Sequence, residues 1–154
     1  DIQLEIAEAI AKDRKRLNLV VVGLPESNKE VVRCGVDNEF ISSVAEAMNI
    51  DASSITDVFR DGAVREAGPV GLPYSRVLKV KFSDRAPRLA FLRGFKESKP
   101  DDPAFLKTYV RPDMTFRERQ VDRELRSRLF ELRKSDPNLI IRKGKIVKRT
   151  IPNA

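Results

Sequence analysis

Apolar and polar residues follow two different periods along the chain, and each change of period marks a predicted element. Over residues 1–16, Ile2, Ile6 and Ile10 recur at a spacing of four, which predicts an amphipathic helix. This helix fits two roles: the end of a coiled coil, giving self-association through this segment, or docking on its own domain. Residues 17–23 are almost continuously apolar and indicate a central strand.

The middle of the chain predicts a second helix and two strands. Asp37 is a candidate N-cap for a helix that carries Phe40, Ile41, Val44, Ala45 and Met48. The residues between the first strand and Asp37 are expected to form a loop. Strands are predicted over 53–59 and 76–82, separated by a loop rich in glycine and proline over 61–75.

Strict alternation over 76–82 assigns the two faces of the third strand. Leu78, Val80 and Phe82 fall on one face, and Val77, Lys79 and Lys81 fall on the other. Ser83 or Asp84 can cap a following helix that carries Leu89, Leu92 and Phe95, with Pro87 in its first turn. A fourth strand is predicted over 105–110.

The order strand, helix, strand, strand, helix, strand predicts an α+β fold of the ferredoxin-like βαββαβ type over residues 17–112. Right-handed crossovers would place both helices on one face of the sheet and leave the other face open. This is the architecture of RNA-recognition-motif domains.

Residues 113–154 predict a second, smaller lobe. Thr115 and Glu118 have the spacing of a capping box at the start of a helix. Its apolar stripe is Val121, Leu125, Leu129 and Leu132, with Phe116 and Phe130 in support, and it should end before Pro137. A β-hairpin follows, with Lys143 and Gly144 at the turn.

Positive charge is concentrated in this second lobe. The chain of 154 residues has a net charge of +7. Residues 112–154 hold 12 basic and 6 acidic residues, a net charge of +6, which leaves +1 for residues 1–111. Such a local excess favours a polyanionic partner, either nucleic acid or an anionic membrane surface.

Composition excludes several function classes. The chain has no histidine and a single cysteine, Cys34, so most zinc sites, disulfides and His-dependent nucleophilic catalysis are not available. We therefore expect no enzymatic activity, no cofactor and no metal. No apolar run approaches a membrane span, and the lone cysteine favours a reducing, intracellular compartment, cytoplasmic or nuclear. The first residue is not Met, so we expect a piece of a longer protein.

The face of the sheet away from the helices is predicted to be basic rather than aromatic. An RNA-recognition motif stacks bases on aromatic residues of its first and third strands. Here the first strand offers Val20, and the third offers Lys79 and Lys81. Tyr109, between Lys107 and Arg111, is the only candidate for stacking. Lysine and arginine hold phosphates without reading bases, so we expect weak sequence selectivity.

The hairpin is the strongest candidate for nucleic-acid contact. Its cations occupy five of eight consecutive residues that include no acid: Arg142, Lys143, Lys145, Lys148 and Arg149. Without an anionic partner, these charges would repel one another. Arginines of the preceding helix can line the same site, a basic cleft between the two lobes: Arg117, Arg119, Arg123 and Arg126.

Four ordered motifs resemble the first-open-reading-frame protein of LINE-type retrotransposons and its domesticated relatives. They are NLVVVGLPES, ITDVFRDG, SRVLKVKF and YVRPDMTFRER, and with the hairpin they span about residues 17–149. The resemblance implies a non-standard RNA-recognition motif and a C-terminal domain that clamp single-stranded RNA, as a nucleic-acid chaperone in a ribonucleoprotein particle. It also implies RNA contacts by Arg60, Arg76 and Arg93, with Tyr109 and Arg111 beside the junction of the domains. Mammalian members continue into a further helix after the hairpin, whereas this sequence stops at Ala154.

Two alternatives stay open. The chain can instead be a protein-interaction module whose sheet or helical face docks a partner, and the missing sheet aromatics favour this interpretation. Backbone-directed cations also accept single-stranded DNA as readily as RNA.

Overall fold

The computed structural model describes residues 1–27, 30–63 and 75–150. It divides the chain into two compact units, one of residues 14–113 and one that joins residues 1–13 to the chain from Met114 onward. Most of the loop predicted over 61–75 lies outside the described residues. Within the described residues, four helices and antiparallel sheets confirm the predicted α+β fold.

The unit of residues 14–113 contains a four-stranded antiparallel sheet. Its strands are β1 (Asn18–Val22), β2 (Ile55–Arg60), β3 (Leu78–Phe82) and β4 (Tyr109–Pro112), in the order β2-β3-β1-β4. Helix α1 (Ile2–Lys15) precedes β1, α2 (Glu30–Ala47) follows β1, and α3 (Arg85–Ser98) follows β3.

Alternation along the central strands creates one buried face. Leu19 and Val21 of β1 and Leu78 and Val80 of β3 are fully buried in a core that also holds Phe82. Helices α2 and α3 cover this face with their own buried side chains, which are Ile41, Val44, Ala45, Phe91 and Phe95. The predicted face assignment of the third strand is confirmed.

Helix α2 begins seven residues before the predicted N-cap. Asp37 lies inside the helix, 4% exposed, instead of at its start. An aspartate in a helix interior is unfavourable unless its charge is paired, and here the guanidinium of Arg60 pairs with it. The sequence prediction of an N-cap was wrong because that partner lies 23 residues away along the chain.

The fourth strand is also displaced from its prediction over 105–110. Phe105 ends a short 3₁₀ turn, Pro103–Phe105, in which Asp102 accepts a hydrogen bond from the amide of Ala104. The strand begins only at Tyr109. Asp followed by Pro stabilises such a turn locally and overrides the β preference of the Phe-Leu pair that follows.

Gly23 fixes the approach of the chain to β4. Its φ is +80°, and a Cβ atom there would lie 2.9 Å from the carbonyl oxygen of Lys107. The hydroxyl of buried Thr108 donates a 3.0 Å hydrogen bond to the Gly23 carbonyl. The residue that follows β1 is therefore locked against the residue that precedes β4, which sets where Tyr109 emerges.

The second unit contains the start of α1, helix α4 (Phe116–Arg133) and a hairpin of β5 (Leu139–Arg142) and β6 (Lys145–Lys148). The capping box of Thr115 and Glu118 is confirmed, with both reciprocal hydrogen bonds present. The predicted hairpin is confirmed too. Its two turn residues have φ values of 50° at Lys143 and 72° at Gly144, as a two-residue hairpin turn requires.

Candidate nucleic-acid interface

All five cations of the hairpin are exposed: Arg142, Lys143, Lys145, Lys148 and Arg149. The apolar residues Ile140, Ile141, Ile146 and Val147 are partly buried, and the strands that carry them pack against α4. Lys148 lies 3.7 Å from Asp136, but its side chain is 80% exposed. The hairpin therefore presents a dense positive surface to solvent.

Helix α4 adds more exposed cations to the same unit. Arg117, Arg119 and Arg123 are exposed. Arg126 bonds to Asp122 at 2.8 Å, as the i,i+4 spacing predicts, yet its side chain is 71% exposed. An exposed pair of this kind contributes under about 1 kcal/mol, so Arg126 can exchange its partner for a phosphate.

Arg60 has a structural position instead of an exposed one. Its side chain is 3% exposed, and all five of its N–H donors are used. Nε and Nη2 bond to the carboxylate of Asp37 at 2.8 and 2.7 Å. The remaining donors bond to the carbonyls of Leu24, Pro25 and Arg76.

Arg76 is likewise tied into the fold. Its guanidinium and its amide bond to the carboxylate of Glu26, and Nη1 donates to the carbonyl of Gly62 at 2.8 Å. Burial tends to raise the pKa of Glu26, but the hydrogen bonds and charge of Arg76, with the charge of Arg60, hold that pKa below its ordinary value of 4.5. This carboxylate is therefore ionised at neutral pH.

These contacts give Arg60 and Arg76 a structural role that the resemblance did not imply. Both guanidiniums hold the segments after β1, after β2 and before β3 together. An RNA phosphate could reach Arg60 only by breaking a buried, fully satisfied network, which would be strongly unfavourable. RNA contact by these two residues stays a prediction that rests on the resemblance alone.

Lys79 is neutralised on the sheet. Its Nζ lies 3.3 Å from Asp113 and 3.4 Å from Asp61. Asp113, only 8% exposed, also accepts a hydrogen bond from Asn18 and lies 3.7 Å from Nζ of Lys15. Lys79 thus satisfies a buried carboxylate, and its charge is not available to a ligand in the way that the sequence suggested.

The sheet face opposite the core still carries some of the residues that were predicted to contact nucleic acid. Val20 is paired with Lys79 on one side and with Arg111 on the other. Lys81 is exposed and lies over the ring of Phe59, 5.5 Å from its centroid. Arg111 is half-buried and donates to the carbonyl of Pro112, while Tyr109 is 52% exposed.

Arg93 is exposed on α3, which covers the buried face of the sheet. The structure therefore separates Arg93 from Lys81 and Arg111, which belong to the opposite face. Within this unit, the predicted contact residues do not converge on one surface.

Two aromatic residues were misassigned by the sequence analysis. Phe116 and Phe130 were expected to support the apolar stripe of α4, but each is 67% exposed. Leu129 is buried and Leu125 is half-buried on a different side of the helix. At 100° per residue, both phenylalanines lie more than 90° from these leucines, so the helical angle was the signal that could have identified them.

A groove lies between α3 and the start of β4 in the unit of residues 14–113. It has a volume of about 460 Å³ and is lined by Leu92, Phe95, Leu106, Tyr109 and Val110 with three lysines, Lys96, Lys99 and Lys107. Leu106 is 76% exposed. Lys99 donates to the carbonyls of Phe105, Leu106 and Thr108, which fixes it at the groove.

Among residues 1–27, 30–63 and 75–150, no group of three His, Cys, Asp or Glu side chains could hold a metal ion. No helix in the same part of the chain has both the length and the apolar character needed to cross a bilayer.

Comparison of the sequence with protein-family models and with curated proteins finds no match to either.

Proposed function

We propose that this chain binds single-stranded RNA without catalysis and with weak sequence selectivity. The observation that carries the proposal is the acid-free hairpin with its five exposed cations. Five like charges on a two-stranded element repel each other, and a polyanion relieves that repulsion while releasing its counterions. The shared cleft that we expected from the sequence stays a prediction.

The fold supports the proposal. The strand order β2-β3-β1-β4, with α2 and α3 on the same face, is the order expected of a ferredoxin-like βαββαβ domain. We assign the unit of residues 14–113 to this type, as a non-standard RNA-recognition motif. The motif resemblance to the first-open-reading-frame protein of LINE-type retrotransposons fits a role as a nucleic-acid chaperone or ribonucleoprotein component.

The decisive experiment removes the hairpin cations. A variant with alanine at residues 142, 143, 145, 148 and 149 should bind fluorescent single-stranded RNA at least about fivefold more weakly, because each exposed ion pair with a phosphate contributes about 0.2–1 kcal/mol. Its slope of log affinity against log salt should be shallower by about 0.7 for each phosphate that is no longer neutralised.

A matched control removes the same charge from other exposed positions. It carries alanine at Lys12, Arg14, Arg85, Lys96 and Lys107. We expect it to keep most of the affinity, because only the location of the charge differs. Equal losses in both variants would show a diffuse attraction without a hairpin site, and the absence of RNA binding by the unaltered protein would refute the proposal. Single-stranded DNA, titrated in parallel, measures the preference between the two polymers.

A second candidate function is protein docking in the groove between α3 and β4. The observation that favours it is Leu106, whose side chain is 76% exposed beside Tyr109 and three lysines. Large exposed apolar side chains with a basic rim suit an acidic segment that carries an apolar anchor.

Selection from a displayed library of random peptides tests this candidate. Peptides bound by the unaltered protein should combine a large apolar residue with Asp or Glu, and Leu106→Ser with Lys107→Glu should abolish their binding. Peptides whose binding ignores these two substitutions would remove the groove from consideration.

A further inference from the structure

Helix α4 carries a solvent-facing stripe of arginines that begins and ends with a phenylalanine. Its members, at the spacing i, i+3, i+7, i+10 and i+14, are Phe116, Arg119, Arg123, Arg126 and Phe130. All five are exposed. This spacing places them along one face of the helix. We name this set the arginine–phenylalanine stripe.

The stripe does not contribute to the core of its own unit. Leu129 is the buried residue of α4, and Leu125 is half-buried on the same side, whereas both phenylalanines are 67% exposed. Burying one phenylalanine stabilises a fold by about 1.5–3 kcal/mol, and two rings that are 67% exposed gain little of this stabilisation.

The chemistry of the stripe selects its ligand. Three guanidiniums attract a polyanion, and two flat apolar rings accept a flat apolar partner. Unpaired nucleobases on a phosphate backbone supply both, because bases stack on phenylalanine and on guanidinium planes. A duplex keeps its bases stacked internally and offers only its phosphates to such a surface.

The Phe130 ring also contacts a lysine of its own helix. The ammonium group of Lys134 lies 5.2 Å from the ring centroid and pairs with the carboxylate of Glu131 at 3.1 Å. Phe116 and Phe130 are separated by about 21 Å along the helix at 1.5 Å per residue. Two bases several nucleotides apart can therefore occupy the two rings while the intervening phosphates lie along the arginines.

We propose that the arginine–phenylalanine stripe is a base-stacking track that makes binding selective for single strands over duplexes. The inference rests on the proposed RNA binding, since it names a subsite for the same ligand. The hairpin supplies affinity for phosphates in either form of RNA, and the two rings add affinity for unpaired bases alone.

The test compares two substrates in two variants. Phe116→Ala with Phe130→Ala should weaken binding to a non-self-complementary single strand by about fivefold or more for each ring, on the scale of base–aromatic stacking. Affinity for a duplex of the same length should change by less than about twofold. Phe116→Leu with Phe130→Leu keeps apolar bulk but removes the aromatic face, and should show the same selective loss. Circular dichroism verifies that both variants keep their helices.

Leu132→Ala is the matched control, because Leu132 is an exposed apolar residue of α4 that does not belong to the arginine–phenylalanine stripe. It should leave both affinities unchanged. Unchanged single-strand affinity in the phenylalanine variants, or equal losses for strand and duplex, would overturn the inference while the hairpin result stands. A shift in the oligomeric state of the RNA-free variants, measured by light scattering, would instead identify the stripe as a protein contact and would also overturn it.

Discussion

At the scale of single residues, the most consequential side chain is Arg60. Its guanidinium satisfies a buried carboxylate and three carbonyls at once, and it joins segments that are distant in the sequence. The sequence alone could not reveal this, because Asp37 has the signature of a helix cap and Arg60 stands at the end of a strand next to Asp61. Asp37 and Arg60 come together only in the folded chain.

Arg60→Lys should therefore be strongly destabilising although it keeps the charge. A lysine has three donors on one nitrogen and cannot span the carboxylate and the carbonyls, so we expect a loss of about 2–4 kcal/mol in the free energy of unfolding by urea. Arg93→Lys, on the exposed surface of α3, serves as the control and should change stability by under about 0.5 kcal/mol. Equal stability of the two variants would contradict the structural role of Arg60.

Glu26 gives the fold a defined response to acid. Because its folded-state pKa lies below 4.5, its ionised form stabilises the fold above that pH, and the contribution is lost as the pH falls through the folded-state pKa. Glu26→Gln should lower stability at pH 7 and flatten the fall in stability below about pH 5. Urea titrations over a pH series measure this.

Arg76→Met tests whether the guanidinium of Arg76 causes this pH dependence. In that background, Glu26→Gln should alter the pH dependence much less, because the guanidinium that holds the carboxyl ionised is gone. An undiminished effect would assign the acid response to other carboxylates.

At the scale of elements, local signals explain which predictions were accurate. The capping box, the end of α4 before Pro137 and the hairpin turn depend on residues within a few positions of each other, and all three were predicted. Helix α2 and strand β4 were misplaced because a distant ion pair and a turn overrode the local preference. The exposure of Phe116 and Phe130 was missed although it was also a local signal, because more than 90° of helical angle separates each of them from Leu125 and Leu129.

Thr115→Ala should weaken α4 by about 1 kcal/mol, the usual loss for an N-cap. The Thr115 hydroxyl accepts from the amide of Glu118 at 3.1 Å and donates to Glu8, so alanine removes both contacts. Thr115→Ser keeps the hydroxyl and should restore stability to within a few tenths of a kcal/mol. Thermal unfolding followed by ellipticity measures both variants, and failure of serine to restore stability would show that the methyl group, not the cap, matters.

At the scale of the whole molecule, the sequence predicted which region carries the excess of positive charge. It did not predict which individual cations are paired within the fold. The excess of cations after residue 112 is visible in composition. Composition could not separate the exposed cations of the hairpin from Arg60, Arg76 and Lys79, whose charges are matched by Asp37, Glu26 and Asp113. A cation that is already paired with a carboxylate of the same fold adds little to the attraction of a surface for an anionic ligand.

This distribution predicts weak discrimination among RNA sequences. Under the proposed function, the cations of the hairpin contact phosphates, which are the same in every sequence. Affinities for mixed-sequence single strands of equal length should therefore agree within about threefold, and all should fall with salt at similar slopes. Competition titrations with several unrelated strands measure this, and a preference of about a hundredfold for one of them would indicate base readout that the hairpin does not provide.

The Asp37–Arg60 pair also constrains how this sequence can evolve. Loss of either partner leaves a buried charge without its counterion, so each single replacement leads through a poorly folded intermediate. A joint replacement by two apolar residues of similar size removes both charges together, which a buried pair can tolerate when the carbonyls of Leu24, Pro25 and Arg76 gain other donors. Drift at these two positions should therefore occur in concert, and relatives that retain the fold should carry either both charges or neither.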